Sequence, residues 1–406
     1  MPQPDSYAHK WHVMAAVGMG IFLATIDGSI VNVALPTLRA ELATDFATVQ
    51  WVPLAYLLTL STLLLGMGRL GDIAGKKPIY VSGFVLFTLS SMLCGLAPSI
   101  GWLIAFRVLQ AIGAAMTQAL GMAIITESFP PSERGTALGV SGTLVSVGIV
   151  LGPTLGGLLI DALSWHWIFF VNLPVGIAGT LLTLRYVPRK QPRGGQRFDF
   201  AGALLLFAGL LALLLGLTLG QQRGFGDRPV WLLLGTAVLL LAGFIALEKH
   251  IRQPMVDLSL FRNQLFSINL LTGLIAFIAV AGVFILLPFY LETMLGYGPR
   301  QVGLLIAVVP VLLGVAAPIS GALSDRYGTR LIATIGLGVL VGGYLAMSRF
   351  TAETTLPVYV LAVLPFGAGM GIFQSPNNSA VMGAVPHDKL GTASGLLAIT
   401  RNLGQT

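Results

Sequence analysis

Gly68-Arg69-Leu70-Gly71-Asp72-Ile73-Ala74-Gly75-Lys76-Lys77 is a charged, glycine-punctuated turn between two long apolar runs. A second copy stands near the other end of the chain, Gly321-Ala322-Leu323-Ser324-Asp325-Arg326-Tyr327-Gly328-Thr329-Arg330. Gly, Leu, Asp, Gly and a closing base recur at the same spacing. Glycine at a helix end permits close packing and tight reversal. An aspartate beside it can face the positive end of a neighbouring helix. Either turn alone reads as an ordinary connection between helices. Two copies point to a chain built from two similar halves.

Composition sets the class. Of 406 residues, 55% are hydrophobic and 10% charged, against roughly a quarter charged in a soluble domain. Mean hydropathy is +0.85. The charges bunch into short segments separated by apolar runs of about 20 residues, enough at ~1.5 Å per residue to cross a ~30 Å hydrocarbon core. The expected fold class is an all-α polytopic membrane protein, since the runs are too long for barrel strands. The 50 glycines and 22 prolines suit membrane helices, where small residues let backbones approach. A single cysteine, Cys94, excludes a disulfide framework. The net charge of +7 sits at span boundaries and reads as a topology signal, so no nucleic-acid partner is expected. The first run, Trp11 to Pro36, is long enough to span and lacks a small-residue cleavage site.

The runs predict spans at 12–35, 50–70, 78–97, 101–125, 136–160, 166–187, 200–220, 229–248, 266–290, 300–322, 330–348 and 355–378, with a thirteenth opening near 392. With the N-terminus in the cytoplasm, most of the 23 Lys and Arg fall in one alternating set of loops, the positive-inside pattern. The repeat also extends further. Pro131-Ser132-Glu133-Arg134-Gly135-Thr136-Ala137 is similar to Pro386-His387-Asp388-Lys389-Leu390-Gly391-Thr392-Ala393, with one residue inserted. Spans 2–5 then correspond to spans 10–13. This predicts a six-helix bundle over 1–187, a basic linker at 188–199, two inserted helices over 200–248, a linker at 249–265 and a second bundle over 266–406. In that register Thr406 falls opposite Val150, inside a helix, so a truncated chain with about 12.5 of fourteen spans is expected.

Asp27 is the sharpest single residue. A carboxylate within a span costs ~2.5–3.5 kcal/mol on insertion scales, so it needs a partner or a task. Arg107, in span 4, lies at similar depth by helical rise. Desolvation would raise the proton affinity of Asp27 and a guanidinium would lower it. The pair reads either as a proton-coupling site or as a structural ion pair. Lys76 and Lys77 are placed to meet Glu127, at the end of span 4. With Gly68, Asp72, Gly75, Asp325 and Arg326 they form a candidate conformational gate. Gly148, Gly152 and Gly156 share one helix face, with Pro153 and Gly157 beside them, and make a groove for another helix. Asn32, Gln110 and Arg401 are candidate cavity residues, although Arg401 can equally snorkel. Asn377 and Asn378 read as a helix end, and Trp51, Trp102, Trp165, Trp167 and Trp231 as interface anchors. No phosphate-binding glycine loop and no metal-ligand cluster is evident, so neither an enzyme nor a metal site is expected.

The repeated turn resembles the signature loop of the major facilitator superfamily. Leu23-Ala24-Thr25-Ile26-Asp27 through Val31-Asn32-Val33-Ala34-Leu35-Pro36 resembles the first-helix motif of its drug:H⁺ antiporter family with fourteen spans, the EmrB/QacA type. Trp165-His166-Trp167-Ile168-Phe169-Phe170-Val171-Asn172-Leu173-Pro174-Val175-Gly176 resembles the motif entering the sixth helix, with His166 where the family more often has Arg. Arg107-Val108-Leu109-Gln110-Ala111-Ile112-Gly113 is similar to the fourth-helix motif, in which the Arg is implicated in proton transfer. The glycine stretch from Gly148 is similar to the motif associated with antiporters. The resemblance implies the major facilitator fold, two six-helix bundles plus two inserted helices. It also implies proton-coupled export of small amphipathic or cationic compounds by alternating access, powered by a proton gradient with no cofactor. Alternatives are a dedicated exporter of one metabolite, antibiotic or siderophore, and a transport-inactive sensor or scaffold. The implied setting is the bacterial cytoplasmic (inner) membrane. The implied partners are a small-molecule substrate, protons, the lipid bilayer and, in a Gram-negative host, a periplasmic adaptor.

Overall fold

Within hydrocarbon a backbone finds hydrogen-bond partners only inside its own segment, so each apolar run winds into a helix. The computed structural model describes residues 7–189, 198–251 and 253–405, and among these no strand occurs. The helices of the first part are α1 (Lys10–Glu41), α2 (Trp51–Ala74), α3 (Lys76–Gly95), α4 (Ile100–Ser128), α5 (Arg134–Ala162) and α6 (Asn172–Tyr186). Then come α7 (Phe200–Arg223) and α8 (Arg228–Glu248). The rest are α9 (Gln264–Phe289), α10 (Pro299–Tyr327), α11 (Thr329–Met347), α12 (Leu356–Gly383) and α13 (Leu390–Gln405). Twelve helical segments are long and apolar enough to cross a membrane, and α13 adds 16 residues. Among the described residues these thirteen long helices match the twelve spans and the opening of a thirteenth expected from the apolar runs. Of the expected basic linker, residues 190–197 lie outside the described residues, as does Arg252 in the later one.

The two repeated turns are alike in backbone as well as in sequence. α2 passes to α3 through Gly75 (φ 95°, ψ 139°) and α10 passes to α11 through Gly328 (φ 89°, ψ 147°). A positive φ is open to glycine and strained for other residues. One residue therefore ends each helix and starts the next. The second repeat behaves the same way. A single 3-10 turn, Pro131–Glu133, leads into α5, and another, His387–Lys389, leads into α13.

α1 packs on α4, α5 and α6, while α2 and α3 both pack on α4. On the other side, α10 and α11 pack on α12, and α9 packs on α12 and α13. The seam between these groups is α5 against α10 and α12, and α2 and α4 against α13. α7 and α8 pack on each other, with α7 leaning on α2. The outward faces are apolar: Leu204, Leu239, Leu286 and Leu345 are all exposed. A soluble monomer rarely shows so much contiguous apolar surface, but a lipid-facing one does.

Two expectations need correction here. α12 runs past Asn377 and Asn378 to Gly383, and both asparagines are buried inside it rather than ending it. Trp165 is buried at 2% exposure and stacks on His166, so it is a core residue and not an interface anchor. Trp102, Trp167 and Trp231 are exposed.

Candidate functional site

Asp27 sits in the middle of α1 with no solvent exposure, and Arg107 of α4 is equally buried. Arg107 Nη1 donates to Asp27 Oδ2 at 2.6 Å, so the expected pair forms. The neighbours complete it. Gln110 Nε2 donates to Asp27 Oδ1 at 2.9 Å and Asn172 Nδ2 donates to the same oxygen at 3.2 Å. Arg107 also donates to the Gln110 side chain at 2.7 Å and, through Nε, to the Val52 carbonyl at 3.3 Å. Its guanidinium lies 4.1 Å from the Tyr56 ring centroid, a cation–π distance. Asn172 is oriented by a second bond to Ser91, which in turn donates to the Phe169 carbonyl. Three donors thus converge on one buried carboxylate. Removing one member of such a pair leaves an uncompensated buried charge, at a cost of about 3–5 kcal/mol.

Gln110 therefore belongs to this network and does not line the cavity expected of it. Asn32 is exposed on α1 and also does not line that cavity. Asn172, Ser91 and Tyr56 join the site with no charge to mark them in the sequence, although Asn172 stands inside the Trp165–Gly176 motif. His166 takes part in no charge pair among the described residues; its Nδ1 lies 2.7 Å from the Gly95 carbonyl.

A central cavity of about 60 Å³ lies one helical turn from Asp27, among α1, α4, α5, α9, α10, α12 and α13. Arg401 lines it, so this side chain faces the cavity and does not snorkel. Its Nη2 donates to Gln118 Oε1 at 2.8 Å, joining α13 to α4. Gln374, Asn378 and Ser394 add polar groups to the lining.

At one end of the bundle the two kinds of repeat meet crosswise. Asp72, ending α2, accepts from the Gly391 and Thr392 backbone amides, both at 2.8 Å, and from the Thr392 hydroxyl at 3.0 Å. Asp325, near the end of α10, accepts from the Gly135 amide at 2.8 Å, the Thr136 amide at 2.9 Å and the Thr136 hydroxyl at 2.8 Å. Each carboxylate thus caps the N-terminus of a helix across the seam, where free amides and the helix dipole favour negative charge. The approach is very close. A methyl on Gly68 would stand 2.4 Å from the Gly391 carbonyl oxygen, and one on Gly321 would stand 2.1 Å from that of Gly135.

Lys76 lies 3.2 Å from Asp72 and 2.9 Å from Glu127. Lys77 does not share Glu127, because its Nζ donates to the Leu184 carbonyl instead. Arg326 is exposed and stands apart from the Asp325 contact. Each opening turn is also tied within its own side. Lys10 of α1 pairs with Glu133 at 2.6 Å, and Lys389 pairs with Asp257, just before α9. Burial would raise the Asp257 carboxyl, but hydrogen bonds from Lys389 and Ser259 bring it down to about 2.

The glycine face of α5 packs on α1. Methyls on Gly148, Gly152 and Gly156 would collide with Thr25, Ser29 and Ile30, and Ser29 Oγ donates to the Gly148 carbonyl at 3.1 Å. Pro153 lies within α5, and Gly157 faces open space.

The family model described as Major Facilitator Superfamily matches residues 17–406. The riboflavin transporter RibZ of Clostridioides difficile is 35% identical over 97% of this chain and 85% of its own length. The multidrug resistance protein Stp of Mycobacterium tuberculosis is 34% identical over 97% of this chain and 73% of its own. Among solved structures, the human organic anion transporter MFSD10 (TETRAN) superposes with a TM-score of 0.68, covering 100% of this chain and 93% of that one. At 17% identity that likeness shows the fold alone.

Proposed function

The chain belongs to the major facilitator superfamily, as a multi-pass transporter and not an enzyme, and from that premise we propose that it couples export of small amphipathic compounds to proton entry. The observation that carries this reading is the Asp27 site. One buried carboxylate collects donors from α4 and α6, one turn along α1 from the central cavity. A proton arriving there would cancel the charge that Arg107, Gln110 and Asn172 hold. The network would then relax, and α1 would be free to shift against α4 and α6. Substrate affinity must differ between the protonated and ionised forms for exchange to occur. The electrical part of the gradient supplies ~2.3 kcal/mol per proton per 100 mV.

The two halves would rock about the cavity, as in other transporters built from repeats. With the clasps on the cytoplasmic side, as the distribution of Lys and Arg suggests, their closure supports a state sealed toward the cytoplasm. The relative named as a multidrug resistance protein favours broad substrate choice. The one named as a riboflavin transporter favours a single metabolite, which is the second reading. A cation would find no countercharge in the cavity, since no carboxylate lines it among the described residues.

The experiment is substrate-evoked proton movement in proteoliposomes holding the protein. Asp27→Asn should abolish it. Because that change orphans Arg107, the double variant Asp27→Asn/Arg107→Gln is measured beside it. Full gradient-driven transport in the double variant would reduce the pair to a structural tie and remove the proton role.

A further inference from the structure

The chain buries two arginines near its centre in opposite circumstances. Arg107 has Asp27. Arg401 has a neutral partner, Gln118, and no carboxylate within ion-pair distance among the described residues. It is also the one charged side chain lining the central cavity among the described residues. A guanidinium offers five N–H donors in a planar fork that matches an oxyanion. Holding one in a low-dielectric site against an amide oxygen leaves most of its charge uncompensated. A second group in the same cavity is unsatisfied. The Ser394 hydroxyl is 1% exposed and has no hydrogen-bond partner. The rest of the wall is largely apolar, with Ile21, Met122, Leu138 and Phe277 among the lining residues.

We infer that this cavity takes a small amphipathic organic anion, whose carboxylate or other oxyanion pairs with Arg401 while its apolar body lies along Ile21, Met122 and Phe277. The inference rests on the transporter reading above and names the substrate class of the same cavity. At about 60 Å³ the cavity holds a few waters, well below the ~300 Å³ of a drug-sized site. The ligand therefore enters as α4 and α13 part, and Arg401 exchanges Gln118 for the oxyanion. A charge consequence follows. One anion leaving for one proton entering moves two charges in the same sense, whereas one-for-one cation exchange moves none. A membrane potential, negative inside, would drive the first strongly.

The test uses three pyrene probes of matched size: 1-pyrenebutyrate, its methyl ester, and a trimethylammonium analogue of the same chain length. Equilibrium binding to the purified full chain is read by fluorescence, and gradient-driven movement is read in proteoliposomes. The carboxylate should bind roughly tenfold or more tighter than the ester, the size expected of a charge-assisted bond. Arg401→Gln should erase that preference and Arg401→Lys should keep part of it. Equal binding of the three probes, tightest binding of the cation, or an unchanged preference in Arg401→Gln would overturn the proposal. If Arg401→Gln does not fold, the wild-type ranking and Arg401→Lys decide. Carboxylate binding without gradient-driven movement keeps the site and sinks the transport reading. Movement of all three probes alike keeps transport and sinks the site.

Discussion

The two clasps use the same atoms and are differently insured. In both, an aspartate caps two backbone amides and a threonine hydroxyl of the opposite side's helix. The Asp72 side chain is fully buried and has Lys76 beside it, which is held in turn by Glu127. Asp325 is half-buried, and the position matching Lys76 is Thr329. The first clasp therefore concentrates its charge in a low-dielectric spot, where each interaction is stronger and each loss costs more. The second leaves its carboxylate partly in water. Two copies of one motif thus make a firm latch and a lighter one.

The largest effect should come from Asp72→Ala. It orphans two amides and removes one of the two carboxylates that hold Lys76, and a loss of about 3–5 kcal/mol is expected for breaking a buried charged network. Thermal unfolding and the reactivity of a reporter cysteine at the seam would check it. Asp325→Ala should cost less, about 1–3 kcal/mol, because water replaces part of what is lost. Equal losses at the two sites would erase the contrast. Lys76→Thr makes the first turn resemble the second and should narrow the gap by roughly 1.5–3 kcal/mol, the size of a hydrogen bond to a charged group.

The smallest effect should come from Asp257→Asn. Both partners of that pair are partly exposed, so the loss stays within about 1 kcal/mol. Its pH signature is specific. The folded carboxyl sits at about 2, below its ordinary value of 3.8. The stabilisation is thus complete above the ordinary value and disappears as pH falls from there through about 2. The Asp257→Asn protein should lack that acid-side slope, which unfolding curves at stepped pH would read.

Both repeats could be seen in the sequence because turn chemistry is local: glycine, aspartate and a base at fixed spacing. What they do to each other could not. Asp72 meets Gly391 across 319 residues and Asp325 meets Gly135 across 190, and each repeat alone reads as a connection. Asp27 and Arg107 were legible because lipid forces a charge to find a partner. Gln110 and Asn172 were harder to assign because neutral amides carry no such compulsion. Arg401 could not be assigned to cavity or lipid edge from one sequence position. The Gln118 bond from α4 decides it. Lys77 departs from the expected pairing because two adjacent lysines point around a helix in different directions, one toward Glu127 and one toward Leu184.

The short ties that hold the two opening turns have opposite polarity. On one side the turn offers an acid, Glu133, to the base Lys10; on the other it offers a base, Lys389, to the acid Asp257. A nascent chain that docked a turn into the wrong bundle would set Lys10 against Lys389, or Asp257 against Glu133. Like charges would push the misdocked pieces apart, so two look-alike turns keep a means of telling self from sibling while the chain folds.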